Sequence, residues 1–206
     1  MEKLIHPLII IIGPSGSGKD TILNFIKDNP EFAFPPTLTT REMRKGEKPG
    51  IYNFISNQKF EELIKNNAFI EYDSHFGNHY GTSKELVLHA LENKTAIKQS
   101  DINGFKKIIE DQELKYDSQE KTIIVNSNMI HIYFVGILME SVEHTKKAIL
   151  ARGDDSEATQ KRIDRMQEEY SFVESHSDFI ITNPWEYPEK AAAELKNLIK
   201  KLDNGI

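Results

Sequence analysis

Residues 8 to 21 read Leu8-Ile-Ile-Ile-Ile-Gly-Pro-Ser-Gly-Ser-Gly-Lys-Asp-Thr21, and this stretch decides the fold. An apolar run of β-type residues ends in a glycine-rich loop, and a helical pattern opens at Lys19. Gly13, Gly16, Gly18 and Lys19 fit G-x-x-x-x-G-K, a loop whose backbone wraps a phosphate. The composition follows from the chemistry. Glycines let successive N–H groups turn inward without a Cβ in the way, and the helix that follows adds the positive end of its dipole. Lys19 then supplies a mobile charge that reaches the outer phosphates. Gly13, Pro14, Ser15, Gly16, Ser17, Gly18 and Lys19 are therefore the expected wall of a nucleoside triphosphate site.

The position after the lysine usually carries a hydroxyl that touches Mg²⁺. Here it is Asp20, with Thr21 next. A carboxylate beside phosphates is repelled unless a cation stands between them. Two readings are open: Asp20 and Thr21 hold Mg²⁺, or Asp20 is a first-turn acid that complements the helix dipole.

The rest of the chain bounds the setting. At 206 residues it is long enough for one full domain, residues 1–206. Its net charge of −6 argues against a general nucleic-acid binder. There is no cysteine, hence no disulfide or thiol chemistry. The run Leu8 to Ile12 is too short for a membrane span, so a cytoplasmic protein without a membrane partner is expected. The histidines show no ligand spacing, and no metal beyond Mg²⁺ is implied.

Further along, strand-like and helix-like segments alternate. Strands are predicted at Thr37 to Arg41, Ile51 to Ile55, Phe69 to Tyr72, Thr95 to Gln99, Thr122 to Val125, Ile130 to Gly136 and Phe179 to Thr182. Helices are predicted from Thr21 to Lys27, Ser56 to Asn66, Ser83 to Leu91, Asp101 to Ile109, Ser141 to Arg152, Ser156 to Phe172 and Pro188 to Leu202. Asn29 to Pro36 reads as irregular, Gly77 to Gly81 as a tight turn, and Gln112 to Lys121 as polar and exposed. The alternation implies an α/β fold with a parallel sheet covered by helices. Short strands between residues 37 and 82 break that rhythm and read as a small inserted lobe.

Arg41 and Arg44 lie three apart in that lobe, with Lys45 and Lys48 nearby. Guanidinium forks bind a phosphate dianion bidentately, and the Tyr52 and Tyr80 hydroxyls can add donors. A solvated basic loop would carry the same arginines.

Gly13-Pro-Ser-Gly-Ser-Gly-Lys19, Thr39-Thr40-Arg41-x-x-Arg44-x-Gly46-Glu47, Gly50-x-Tyr52-x-Phe54, Phe69-Ile70-Glu71-Tyr72 and Gly77-Asn78-x-Tyr80-Gly81-Thr82 follow in this order. Together they resemble guanylate kinases. The match resumes at Arg152-Gly153 and runs from Arg162 to Asn183. The resemblance implies a P-loop NTPase-like core (1–36, 83–149 and 173–206), a GMP-binding lobe (37–82) and a helical lid (about 150–172). It implies that the γ-phosphoryl group of ATP passes to GMP, or to dGMP, giving ADP and GDP with Mg²⁺ as cofactor. Arg41, Arg44, Tyr52 and Tyr80 would hold the GMP phosphate, and Thr37, Glu71, Thr82 and Asp101 would read its base. A carboxylate at Glu71 accepts from guanine N1–H and the 2-amino group while Thr82 donates to O6; adenine would leave Glu71 poorly satisfied. Lys19, Arg44, Arg152 and Arg162 would neutralise the transferring phosphoryl group, and Asn183 would lie near the ATP base, although a plain turn asparagine fits equally. Beyond ATP and GMP no partner is implied, and the chain would act as a monomer or homodimer.

Three more positions depart from that pattern. Ala96-Ile97-Lys98-Gln99-Ser100 stands where the family tends to carry an acid at 99 and apolar neighbours; Ala148 replaces a lid arginine; and residues 110–129 exceed what the family needs. Gly18-Lys19-Asp20 also resembles the loop of bacterial ribose bisphosphate phosphokinases, so an acceptor such as ribose 1,5-bisphosphate is an alternative. A non-catalytic guanylate-kinase-like module that binds proteins is another. If Asp20 compensates for the neutral Gln99 at the Mg²⁺ site, exchanging the pair (Asp20→Ser with Gln99→Asp) keeps phosphoryl transfer in a coupled ADP assay. Two additive losses would disprove the compensation.

Overall fold

The computed structural model describes residues 6–43, 47, 50–75, 77–151 and 156–205. In chain order the elements begin with β1 (Leu8–Ile12), α1 (Lys19–Ile26), β2 (Phe32–Ala33), β3 (Thr37–Thr39), β4 (Tyr52–Phe54) and α2 (Asn57–Lys65). Next come β5 (Phe69–His75), β6 (Asn78–Ser83), α3 (Lys84–Leu91), β7 (Thr95–Gln99), α4 (Ile102–Glu110) and β8 (Thr122–Val125). The chain ends with β9 (Asn128–Met139), α5 (Val142–Leu150), α6 (Ser156–His176), β10 (Phe179–Asn183) and α7 (Pro188–Asp203).

Serines start three of the helices for one reason. Ser56, Ser83 and Ser141 each adopt an extended backbone, and each hydroxyl accepts from an N–H three residues on, those of Lys59, Leu86 and His144. Each satisfies a donor that the first helical turn leaves unpaired.

The fold divides into two compact units. The first comprises Met1–Leu8, Glu31–Lys98 and Gly104–Ile132. Within it β2 pairs in parallel with β7, and β8 pairs antiparallel with the start of β9. A second sheet has the order β4-β3-β6-β5, with β3 parallel to β4 and antiparallel to β6. Phe60 of α2 is fully buried against this sheet, stacked on Phe69 at 4.6 Å between ring centres and on His79 at 5.1 Å. Leu38 completes the cluster, with Ile55, Leu63, Ile64 and Leu86 around it.

The second unit comprises Ile9–Pro30, Gln99–Asn103 and Tyr133–Ile206. β10 runs parallel to β9 with Ile181 opposite Ile137, and β1 lies on the other side of β9. Ile9 to Ile12 are buried to within 2 %, as a strand covered on both faces requires. α7 packs on β10 and α1, and α5 on α6. The α/β class and parallel pairing expected from the alternation are present. Among the described residues no helix is long and apolar enough to cross a membrane.

Four expectations are corrected. Residues 78–81 are not a tight turn but the start of β6, because Asn78 to Gly81 pair with β5 while Tyr80 and Gly81 also pair with β3. Backbone bonds on both edges outweigh the turn-forming composition. The expected strand Ile130 to Gly136 extends over the 12 residues of β9, held at one end by β8 and at the other by β10. The irregular Asn29–Pro36 stretch contains β2. Within the expected exposed segment Leu114 is fully buried, and its carbonyl accepts from the Ile124 N–H.

Phe60→Ala should lower the unfolding free energy by about 3–5 kcal/mol, the cost of a large cavity in a small aromatic cluster, in urea titration followed by circular dichroism.

Candidate active site

The residues singled out in the sequence fall into two groups, one in each unit. In the second unit the chain leaves β1, turns through Gly13 to Gly18 and enters α1. Gly18 stands ahead of the helix with φ +83° and ψ +16°, a left-handed conformation costly for any residue with a Cβ. A Cβ there would also lie 2.2 Å from Nδ2 of Asn183. At Gly13 a Cβ would meet the Ile137 carbonyl oxygen at 2.4 Å, so the loop sits hard against β9. The glycines are thus required by both backbone angle and clearance.

Side chains hold the loop in shape. Lys19 folds back, and its ammonium donates to the carbonyls of Gly13 (2.6 Å) and Pro14 (2.9 Å). Asn183, 2 % exposed at the end of β10, donates its amide to the Ser17 carbonyl at 3.0 Å. The Ser15 N–H donates to Oε2 of Glu169 at 3.0 Å, and Arg162 donates to the Ser15 hydroxyl at 2.8 Å. α6 therefore lays both a cation and a carboxylate on the loop. The sequence suggested Arg162. Glu169, seven positions further on, read as one more acid on a charged helix, and no local signal set it apart.

Asp20 and Thr21 are exposed in the first turn of α1, and Asp20 makes no hydrogen bond or ion pair among the described residues. Two oxygen-bearing side chains at a helix start suit a hard cation such as Mg²⁺. Among the described residues no group of three or more His, Cys, Asp or Glu is gathered for a metal, so a nucleotide's phosphates and water would have to complete such a site. Asp101 is exposed just ahead of α4 and also belongs to this unit.

In the first unit Arg41, just beyond β3, grips Glu47 with two nitrogens at 2.7 and 3.0 Å and lies over the rings of Tyr52 (5.1 Å) and Phe54 (5.3 Å). Tyr80 meets Tyr52 edge-on at 6.3 Å. The aromatic walls and the forked pairing orient the guanidinium for an oxyanion. The Glu47 hydrogen bond raises the Arg41 pKa further above its ordinary value.

On the neighbouring strands Glu71 of β5 lies opposite Thr82 of β6, and the Thr82 hydroxyl donates to Oε1 of Glu71 at 2.5 Å. Thr37 of β3 accepts at 2.7 Å from the ammonium of Lys98, which also donates to the Pro35 carbonyl at 3.1 Å. Lys98 is only 7 % exposed. Burial pushes its pKa down to about 8 while Glu71 works in the opposite direction. The sequence showed Lys98 only as a polar intruder among apolar neighbours. Arg44 and Arg152, together with Lys45 and Lys48, lie outside the described residues.

A glycine loop between a buried strand and a helix, in a parallel-stranded α/β unit, defines a P-loop class of nucleotide-phosphate-binding protein. The guanylate kinase family profile matches residues 6–202. A guanylate kinase of Clostridium tetani is 33 % identical over 186 residues, covering 89 % of this chain and 80 % of the relative. One of Clostridioides difficile is 30 % identical over 203 residues (97 % and 89 %), and one of Mycoplasmopsis pulmonis 32 % over 203 (96 % of each). The crystal structure of guanylate kinase from Anaplasma phagocytophilum shares the fold, with a TM-score of 0.64 at 22 % identity over 98 % of this chain and 88 % of that one. The chain belongs to the guanylate kinase family.

The buried lysine has a measurable signature. Above about pH 8 the folded chain has released this proton, whereas the unfolded chain holds it to about 10.5. The unfolded state then binds more protons, so the Lys98 contribution to stability rises with pH across that window. The unfolding free energy of the wild type relative to Lys98→Met should climb by about 1–3 kcal/mol between about pH 7 and about pH 10. A flat difference would mean that the ammonium is not desolvated.

Proposed function

We infer that this chain is a nucleoside monophosphate kinase that transfers the γ-phosphoryl group of ATP to GMP, giving ADP and GDP. The observation that carries the choice of acceptor is the Glu71 carboxylate held by the Thr82 hydroxyl on adjacent strands, in the same unit as the Arg41 fork. A carboxylate at that place accepts from the two adjacent donors of guanine, N1–H and the 2-amino group. Adenine presents an acceptor at N1 and would leave the carboxylate unpaired.

Arg41, Arg44, Tyr52 and Tyr80 bind the GMP phosphate, and Thr37, Glu71 and Thr82 surround its base. The loop Gly13 to Lys19 receives the ATP phosphates on its inward N–H groups, and Lys19 moves from the Gly13 and Pro14 carbonyls to the outer phosphates. An oxygen of the GMP phosphate forms the new bond to the γ-phosphorus as the bond to the β,γ-bridging oxygen breaks, and ADP leaves with that electron pair. No covalent intermediate is needed. The protein's work is alignment and charge neutralisation. Arg162, already on the loop through Ser15, neutralises the transferring group together with Arg152 as the lid, residues 150–172, closes. Asp20 and Thr21 would hold Mg²⁺, which would supply positive charge against the negative charge of the phosphates. Asn183 supports the loop beneath the ATP base.

ADP release from ATP and Mg²⁺ should be strong with GMP, or with GMP and dGMP, and near background with AMP, CMP, UMP and ribose 1,5-bisphosphate. Turnover with the sugar bisphosphate alone, or with nothing, would overturn the reading. Glu71→Gln places an amide N–H where an acceptor is needed. It should raise KM for GMP by about ten- to a hundredfold while KM for ATP stays within about twofold; equal effects on both would mean that Glu71 does not face the base.

A further inference from the structure

Lys98 is a buried charge that the phosphotransfer scheme leaves unused. It sits in β7 within Thr95-Ala96-Ile97-Lys98, four consecutive buried residues. An ammonium in such a place costs free energy, and a methionine or leucine would fill the same space without it. Its hydrogen bonds run to the Pro35 carbonyl and the Thr37 hydroxyl oxygen, and Glu71 supplies the favourable charge. All four residues lie in the first unit.

The direction of these bonds determines what the pocket can offer. Thr82 has one hydroxyl proton, and it goes to Glu71. Thr82 therefore has none left for an acceptor on the base. Thr37 is in the opposite state. Its oxygen receives a proton from an ammonium, which cannot accept one in return, so its own hydroxyl proton points elsewhere and is polarised by the charge behind it. The face thus presents one acceptor group, Glu71, and one enforced donor, Thr37. Guanine carries the complement, two donors beside an acceptor at O6.

We propose that Lys98 is a specificity-determining positioning residue, which fixes Thr37 as the hydrogen-bond donor to the 6-oxo group of the acceptor base. Lys98 touches neither substrate nor reacting atoms. It acts through Thr37, and the proposal rests on the GMP reading above.

The test uses the full chain with GMP and 6-thio-GMP, which keeps N1–H and the 2-amino group but replaces O6 with a weakly accepting sulfur. In the wild type GMP should be the better acceptor. In Lys98→Met the KM for GMP should rise about tenfold or more, with kcat and the KM for ATP within about threefold, and the preference over 6-thio-GMP should collapse. Thr37→Val should reproduce that collapse with Lys98 in place, and Thr37→Ser should restore the preference. If Lys98→Met does not fold, the two Thr37 variants decide the matter. An unchanged GMP preference in Lys98→Met or Thr37→Val, or an equal loss for both acceptors, would overturn the role of Lys98 while leaving the kinase reading intact. No turnover of GMP by the wild type would instead remove the kinase reading itself.

Discussion

The turn between β1 and α1 is the constraint on which the second unit depends. A chain leaving a strand with both faces buried must reverse into a helix within six residues, where neither strand nor helix supplies partners for its N–H groups. Unpaired donors beside a core are expensive unless something charged can reach them. The left-handed backbone at Gly18 makes the geometry possible, and the clearance at Gly13 lets the loop rest on the Ile137 carbonyl. The remaining supports come from distant parts of the chain: Asn183 from the end of β10, and Arg162 and Glu169 from α6. The packing of β10 and α6 is therefore also the support of the loop. Damage to either would remove a support of the loop.

A second regularity joins the two groups of residues. In each, a carboxylate of the chain itself occupies donors of the kind a phosphate takes: Glu169 on the Ser15 N–H and Glu47 on the Arg41 fork. Left alone, those donors would be poorly satisfied, and the arginine would be free to pair at random. A carboxylate is the weaker ligand because it carries one charge and two oxygens where a phosphate brings up to two charges and three oxygens. Such a pairing keeps the site ordered while leaving it displaceable. It also raises the threshold for binding, since a weakly charged acceptor gains too little to replace the carboxylate. A net charge of −6 on the whole chain acts in the same direction at long range.

The loop was legible because each of its residues is dictated locally, by backbone angle or by phosphate chemistry. Ser56, Ser83 and Ser141 were legible as helix starts for the same reason. What failed depended on partners far away in sequence. Gly77 to Gly81 has the composition of a turn, yet β6 forms because β3 and β5 both bond to it. The extra segment after α4 becomes a hairpin through Asn126 and Ser127, both at positive φ, a turn that no glycine announces. Glu169 and Lys98 are the same lesson at the site. Nothing adjacent to Glu169 tells it from Glu168. Lys98 did carry a signal, a charge within an apolar strand, but its meaning lay in Thr37, some sixty positions earlier.

That pairing also weighs against a sugar phosphate as acceptor. A ribose offers hydroxyls, which donate and accept alike, so a pocket for it gains nothing from fixing the direction of each bond. Here the directions are fixed at the cost of burying a cation: Thr82 toward Glu71, Lys98 toward Thr37. A second phosphate, as a sugar bisphosphate carries, would meet the Glu71 carboxylate as a like charge in a partly desolvated place, where repulsion is strongest. A flat heterocycle with donors and an acceptor in fixed order is the ligand for which such an arrangement repays its cost. A module that only bound proteins would need neither the buried lysine nor the glycine loop with Lys19 folded over it. Retention of both in one chain argues for a site that distinguishes a base and handles phosphates.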